Sequence, residues 1–309
     1  MQFQQLEYFV AIADAGSLNK ASEKLFLTQP SLSKAIANLE DEINVKVFIR
    51  SKSGVELTEE GKKLYHYAKA ILERTELIYR LGQDSSEMPG LITVSSYPLI
   101  SMGAWMADYY NMHRDPYIHI DLKECRAMQL MENVENGISE IGFMMFNQAQ
   151  EKEIQYTLRT KKLVYHPLGY DSWYANVGPS HPLYNREEVS MQELLEYPVI
   201  RFQDDFFSNL TFFLEIDGIK LNNFEKVLHV NDTAAIISIL LNTDAFRFGP
   251  KISASDFLKV GIRTIPIRNC QVRIDVGWIE QRMVTHSQYV QDFISLLEEK
   301  CAGLTKEIK

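Results

Sequence analysis

Hydrophobic residues near the start of the chain recur every three or four positions, as on one face of an α-helix. This spacing predicts a helix over residues 3–14 and a second, short helix that ends at about Leu25. Between them, Gly16 is typical of a helix end and Ser17 of an N-cap. Pro30 is placed in the first turn of a third helix, because that turn does not need the N–H that proline lacks.

The third predicted helix has an apolar face and a polar face. Two short helices joined by a tight turn, the second with a polar leading edge, are the parts of a helix-turn-helix. The polar residues are Ser31, Ser33, Lys34 and Asn38. Two extended runs then flank the turn-forming sequence SKSG, which predicts a β-wing. The cations of this wing are Lys46, Arg50 and Lys52.

A long helix is predicted from residue 59 to about Gly82. Small or apolar residues recur along it in steps of four and three, and a helix of this length has little to pack on within one chain. We therefore interpret the repeat as a coiled-coil-like dimer seam. Its members are Leu57, Gly61, Leu64, Ala68, Ile71, Thr75 and Ile78.

The polar sequence GQDSSEMPG at residues 82–90 predicts a linker. Beyond it, predicted strands and helices alternate, which favours an α/β fold with a mostly parallel sheet. The predicted organisation is a winged helix-turn-helix domain, all-α apart from its wing, over residues 1–58. A linker helix and hinge follow over residues 59–90, and an α/β domain covers residues 91–309.

Composition restricts the possible functions. The 309 residues carry a net charge of −9, which excludes DNA binding through bulk positive charge. Any DNA contact must therefore depend on where individual cations lie. The three cysteines lie far apart and the seven histidines show no ligand spacing, so we expect no metal and no cofactor. No apolar run has the length of a membrane span, and no signal peptide is evident, so we expect a cytoplasmic protein without a membrane partner.

The sequence FVAIADAGSLNKASEKLFLTQPSLSKAIANLEDEINVKVFIRSKSGVELTEEGKKL resembles the DNA-binding end of the LysR-type transcriptional regulators. The family shows the TQPS.S..I..LE pattern in its third helix and LT..G after the wing. This chain departs mildly, with VFIR for LF.R and with Asn44 where the family usually has glycine. A weaker resemblance continues to the end, but residues 242–245 lack the family's glycines, and Arg247 and Phe248 add bulk near the expected ligand cleft.

The resemblance implies a winged helix-turn-helix, a dimerising linker helix and an effector domain of two lobes like those of a periplasmic binding protein. Lobe 1 would cover about residues 91–162 and 267–301, and lobe 2 about residues 163–266, with the ligand in the cleft between them. Family members commonly assemble as dimers of dimers on DNA. The expected partners are therefore double-stranded DNA, a small-molecule effector, further copies of the chain as dimer or tetramer, and RNA polymerase.

Candidate DNA contacts lie at the start of the third helix and on the wing. An amide such as that of Gln29 can read a base edge, and a hydroxyl such as that of Ser31 can bond a phosphate. Simple helix capping is the alternative for both residues, although the family match favours DNA contact, and for Lys34 the alternative is an ordinary solvated lysine. The full set of candidates is Gln29, Pro30, Ser31, Ser33, Lys34, Arg50 and Lys52.

Candidate effector contacts lie where predicted strands end. Free N–H groups and hydroxyls at a strand-to-helix junction suit an anion, although ordinary capping is the alternative. Arg201 ends a strand and can either pair with a carboxylate or reach water. Thr233 begins a helix that the resemblance directs toward the cleft. The full set of candidates is Ser95, Ser96, Tyr97, Ser101, Arg201 and Thr233.

Together these patterns predict a DNA-binding regulator that senses a small anionic metabolite of unknown identity, and not an enzyme. The chain contains none of the motifs GxGxxG, GxxxxGK[ST], GxSxG and HExxH. Two alternatives remain open. One is a regulator without a small-molecule ligand, and the other is an α/β solute-binding protein or enzyme, although a solute-binding protein has no need of the first 60 residues.

Overall fold

The computed structural model describes residues 2–51, 54–80, 91–114, 118–202 and 206–306. The chain divides into two compact units, Met1–Met88 and Pro89–Lys309. Lys52 and the predicted linker at residues 82–90 lie outside the described residues, as do the side chains of Arg50 and Ile78.

The first unit is a helical domain with a two-stranded wing, and the predicted helices are confirmed. Gly16, with a φ of 60°, caps the end of α1. Pro30 lies in the first turn of α3, as predicted, and Thr28 is the N-cap of that helix. The wing strands pair antiparallel. The elements are α1 (Phe3–Ala15), α2 (Leu18–Lys24), α3 (Gln29–Ile43), β1 (Phe48–Ser51), β2 (Gly54–Leu57) and α4 (Glu59–Arg80).

The long helix α4 packs on the core of its own unit, so the expectation that it has little to pack on is wrong. Ala68 is 0% exposed, and Leu64 and Ile71 lie against the same cluster as buried residues of α1 and α3. At Gly61, a Cβ atom would lie 2.1 Å from the backbone oxygen of Val47. The predicted seam therefore faces inward over residues 61–71.

The second unit alternates strands and helices, as the sequence predicts. It also contains short helices and strands between residues 206 and 266 that the sequence pattern does not reveal. The elements are β3 (Leu91–Ser96), α5 (Ile100–Met112), β4 (His119–Glu124), α6 (Ala127–Glu135), β5 (Ile141–Asn147), α7 (Glu151–Thr160), β6 (Leu163–Val177), α8 (Met191–Leu194), β7 (Val199–Arg201), α9 (Phe206–Leu210), β8 (Glu215–Ile216), β9 (Ile219–Lys220), β10 (Val227–His229), α10 (Thr233–Asn242), β11 (Phe246–Pro250), α11 (Ala254–Lys259), β12 (Arg263–Pro266), β13 (Arg273–Gln281) and α12 (Gln288–Lys300).

The main sheet is mixed, so the expectation of a mostly parallel sheet is wrong. Its order is β10-β7-β11-β6-β13-β5-β3-β4, with β12 also on β6. At one end β3 pairs in parallel with β4 and β5, and at the other β7 pairs in parallel with β10 and β11. The long strands β6 and β13 join the two ends and pair antiparallel with each other. The chain crosses between the two lobes on these extended strands, and the antiparallel pairs arise where it does so.

The strand β6 belongs to both ends of this sheet. Its first part, as far as Ser172, pairs with β13, whereas residues from Trp173 to Val177 pair with β11 and β12. The two lobes therefore share this strand. Among the described residues, no helix is long and apolar enough to cross a membrane.

Candidate functional site

The start of α3 presents a polar, exposed edge, and the buried residues beneath it are apolar. Gln29, Pro30, Ser31 and Lys34 are exposed and Ser33 is half-buried, while Leu32, Ile36 and Leu39 are buried beneath them. The hydroxyl of Thr28 accepts a hydrogen bond from the backbone N–H of Ser31 at 3.4 Å. Because Thr28 caps the helix, the side chain of Gln29 is not needed for capping.

The other end of α3 holds the start of the wing through one buried carboxylate. Glu40 accepts hydrogen bonds from the backbone N–H groups of Val47 at 3.0 Å and Phe48 at 3.4 Å. Its second oxygen accepts one from Lys46 at 2.7 Å. Burial raises the pKa of the Glu40 carboxyl, but these donors outweigh burial and bring the pKa below its ordinary value. Lys46, counted with the wing cations from sequence, instead forms an ion pair with Glu40.

The second unit contains a cavity of about 140 Å³ between its two lobes. Its floor and walls come from the ends of β3, β5, β7 and β11, the start of α6, and the segment after α9. Three arginines, Arg126, Arg201 and Arg247, line it. Such a concentration of guanidinium groups in one small cavity favours a negatively charged ligand.

The guanidinium groups lie against aromatic rings. The guanidinium carbon of Arg126 is 4.2 Å from the ring centre of Phe202, and that of Arg247 is 4.9 Å from the same ring. Arg201 lies 5.0 Å from the ring of Phe212, and it also donates a hydrogen bond to the backbone oxygen of Leu221. These contacts orient the three side chains before any ligand enters, and each cation gains from the adjacent ring.

Arg247 is the most buried of the three cations. It is 9% exposed, and burial, together with the nearby charge of Arg126, lowers its pKa. In the part of the chain that the structure describes, its guanidinium makes no hydrogen bond or ion pair. It lies over the ring of Phe202, and the nearby groups of Tyr97 and Glu124 favour its charged form without outweighing burial. A cation removed from water in this way is costly unless an anion accompanies it.

The six predicted effector residues separate into two groups. Tyr97 and Arg201 line the cavity, whereas Ser95, Ser96, Ser101 and Thr233 do not. The hydroxyl of Ser95 receives a hydrogen bond from Asn133 at 2.9 Å. That of Ser96 donates to the backbone oxygen of Tyr97, that of Ser101 donates to Ser253, and that of Thr233 donates to Glu124. The four hydroxyls serve contacts within the protein.

Sequence reasoning missed most of the polar lining. Arg126 precedes α6 just after the end of β4, a strand-to-helix junction like the one after β3 from which the candidate residues come. Arg247 lies between two phenylalanines on β11, and the sequence comparison with the family marks its bulk near the cleft but not its charge. A charged residue within a short apolar run is the signal that could have identified it. Asn147, Gln150 and Thr211 add uncharged polar groups to the wall.

Comparison with known proteins agrees with this two-part architecture. Residues 3–62 match the family model "Bacterial regulatory helix-turn-helix protein, lysR family", and residues 93–302 match "LysR substrate binding domain". The chain is 46% identical over 87 residues to the nitrogen assimilation regulatory protein nac of Escherichia coli, which is 27% of this chain and 28% of that protein. It is 23% identical over 306 residues to the uncharacterized HTH-type transcriptional regulator YbhD of Escherichia coli, covering 96% of this chain and 90% of that protein.

Solved structures share the fold. CbnR, a LysR family transcriptional regulator, matches with a TM-score of 0.67 and 17% identity over 97% of this chain and 99% of that chain. A full-length OxyR variant from Pseudomonas aeruginosa matches with a TM-score of 0.57 and 19% identity over 100% of this chain and 99% of that chain.

A winged helix-turn-helix unit followed by a two-lobed ligand-binding unit defines the class of ligand-responsive DNA-binding proteins. The two family models fit these two units. The chain belongs to the LysR family, as a LysR-type DNA-binding transcriptional regulator with a substrate-binding domain.

Proposed function

We propose that this regulator senses a small anionic metabolite in the three-arginine cavity and adjusts its action on DNA accordingly. The observation that carries this proposal is the buried guanidinium of Arg247, which is 9% exposed and makes no ion pair within the described residues. An anion in the cavity would offset the cost of burying that cation. Tyr97 and Arg201, from the predicted set, are the further proposed contacts.

The proposed DNA contacts are Gln29, Pro30, Ser31, Ser33, Lys34, Arg50 and Lys52. Support comes from the exposed polar edge at the start of α3 and from the carboxylate of Glu40, which holds the wing next to this helix. A helix-turn-helix normally places the first residues of its second helix in the major groove of double-stranded DNA. CbnR, which shares the fold with a TM-score of 0.66, has been solved in complex with its target DNA.

The proposal that the chain forms a dimer or tetramer is based on family membership, and not on the dimer seam that the sequence predicts along α4. The inward packing of Ala68 removes the apolar stripe that suggested a seam over residues 61–71. We propose a dimer or tetramer, because a two-fold protein matches the two half-sites of an inverted repeat. A regulator of this kind acts at the chromosome, so we also propose a cytoplasmic location and RNA polymerase as a further partner.

The alternative functions fit the cavity and the first unit less well. A regulator without a ligand would bury Arg247 without an ion pair in the described part of the chain, and burial would outweigh the help it receives from Phe202, Tyr97 and Glu124. An α/β solute-binding protein or enzyme would have no use for the helix-turn-helix unit. The cavity chemistry supports binding and selection of an anion, so we propose no catalytic residue.

A footprinting experiment tests the regulator proposal. Purified full-length protein should protect an interrupted inverted repeat upstream of its own gene or a divergent neighbour, and an anionic metabolite pool should change the protected length or the affinity. Arg201→Ala should raise the effector concentration needed for that change by roughly 10- to 150-fold, the loss of one charge-assisted hydrogen bond. Absence of any protected site would contradict the DNA part, and an effect of cationic metabolites alone would contradict the anion.

A further inference from the structure

Two cations from different lobes share one aromatic ring in the cavity. Arg126 precedes α6 in the part of the chain that begins at β3, and Arg247 lies on β11. Their guanidinium carbons are 4.2 Å and 4.9 Å from the ring centre of Phe202. The two like charges repel each other, and burial together with this repulsion lowers the pKa of Arg247, while Glu124 only partly opposes it. A negative group beside Phe202 would therefore attract a cation of each lobe.

Apart from the uncharged polar groups of Asn147, Gln150 and Thr211, the remaining walls are largely aromatic and aliphatic. The rings of Trp173 and Phe248 are stacked with centres 5.3 Å apart and an angle of 26° between their planes. Tyr97 meets Phe202 edge to face at 6.0 Å, and Phe212 also contributes to the wall. Flat aromatic walls favour a flat, apolar body that can stack or meet them edge to face. A small hydrated anion such as phosphate would leave these walls unused.

The size of the cavity limits that body to about one ring. The cavity has a volume of about 140 Å³ and is partly open to solvent. For comparison, an apolar protein cavity of about 150 Å³ in another protein binds a single benzene molecule. A two-ring compound or a nucleotide would need a larger space unless the lobes separated.

We propose that the ligand of this cavity is a carboxylic acid with a single planar ring. Its carboxylate lies beside Phe202, within reach of Arg126 and Arg247, and its ring contacts the aromatic walls around Trp173 and Phe248. The carboxylate joins the cations of the two lobes, while the ring supplies apolar contact area. This inference rests on the proposed function, since it names the chemical class of the anion sensed at that site.

Titration calorimetry on the full-length protein separates the contributions of charge and ring. The probes are benzoate and 4-hydroxybenzoate as ring acids, benzamide as the neutral counterpart, and acetate, succinate and inorganic phosphate as anions without a ring. We expect at least one ring acid to bind 10-fold or more tightly than benzamide, because the amide lacks the charge. We expect the same margin over the ringless anions, because they leave the aromatic walls uncovered.

Variants of Arg247 distinguish a ligand-binding role from a structural one. Arg247→Met keeps an unbranched side chain and removes the charge. It should therefore raise the melting temperature of the free protein and lower its affinity for the ring acid by roughly 10-fold or more. Arg159→Met, at an exposed position of α7, is the matched control and should change neither quantity. A lowered melting temperature with unchanged ring-acid affinity would show that Arg247 is structural and overturn the proposal.

The probe series also separates this inference from the proposed function on which it rests. Tighter binding of succinate, acetate or phosphate than of both ring acids would overturn the ring inference and leave anion sensing intact. Equal binding of benzamide and benzoate would overturn the assigned role of the two arginines. Failure of every anion to bind would contradict both the inference and the proposed anion sensing.

Discussion

The carboxylate of Glu40, near the end of α3, accepts a hydrogen bond of 3.0 Å from the backbone N–H of Val47, just before the wing. Phe48, the first residue of the wing strand, donates to the same oxygen, and Lys46 donates to the other. One side chain of the helix proposed to read DNA thus fixes the backbone of the segment that leads into the wing.

Replacing this carboxylate should loosen the wing in a pH-dependent way. Folding lowers the pKa of Glu40 below 4.5, so its contribution to stability is present above pH 4.5 and is lost as the pH falls further. Glu40→Gln should lower the free energy of unfolding of the first unit by about 1–3 kcal/mol at pH 7, because the buried donors lose their charged acceptor. Hydrogen exchange of the Val47 and Phe48 amides measures this loss.

The neighbouring acid provides the control for this prediction. Asp41 is exposed on the same helix, so Asp41→Asn changes the net charge equally without touching the wing. Equal protection of the Val47 amide in both variants at pH 7 would mean that Glu40 does not hold the wing.

The helices of the first unit were predictable because their ends carry local signals. Gly16 adopts the left-handed conformation that glycine favours, and Pro30 lies in the first turn of α3, where a missing N–H is tolerated. The start of the wing was not predictable in the same way. Residues 45–47 have the composition of a strand, but the backbone N–H groups of Val45 and Val47 donate to Glu40. The sequence does not reveal the contact of the Glu40 carboxylate with Val47.

Lys34→Ala should weaken binding to every DNA sequence by a similar factor. Lys34 is exposed beside the start of α3, where a lysine neutralises a phosphate without reading a base. The slope of log affinity against log salt concentration should fall by about one, the release of one counterion. Fluorescence anisotropy with a specific and a random duplex, over a range of salt concentrations, measures both effects.

Lys152→Ala serves as the comparison, since Lys152 is exposed on α7 in the second unit. It changes the net charge by the same amount and should leave the salt slope unchanged. If Lys34→Ala instead changes the ratio of the affinities for the specific and the random duplex, Lys34 reads a base and does not merely contact a phosphate.

Ala68→Glu should destabilise the first unit itself. Ala68 is 0% exposed within the core formed with α1 and α3, so the new carboxylate would be buried without a partner. We expect the free energy of unfolding of the first unit to fall by at least about 3 kcal/mol. Lys63→Glu, on the exposed side of the same helix, should cost far less. If Ala68→Glu dissociates the assembly in sedimentation while core amides keep their protection from exchange, the dimer-seam interpretation from sequence would be right after all.

The chemistry of the cavity was only partly predictable from sequence. Tyr97 and Arg201 stand at strand ends, and such positions in an α/β fold commonly face a ligand cleft. The hydroxyls of Ser95 and Ser101 find partners on Asn133 and Ser253, distant in sequence. Arg247 could equally have lain on an exposed sheet edge, and only its actual burial reveals a cation in need of an anion.

Phe26 in the turn between α2 and α3 offers a test of backbone strain. It is 95% exposed and has a φ of 55°, a left-handed conformation that side chains other than asparagine, aspartate and glycine rarely adopt. Phe26→Asn should raise the free energy of unfolding of the first unit by about 0.5–1 kcal/mol, because asparagine tolerates this conformation. Phe26→Ala removes the exposed ring but keeps the strain, so it should give little of this gain. Hydrogen exchange of amides in α2 and α3 compares the two variants, and equal stabilisation by both would attribute the effect to the exposed ring and not to the backbone.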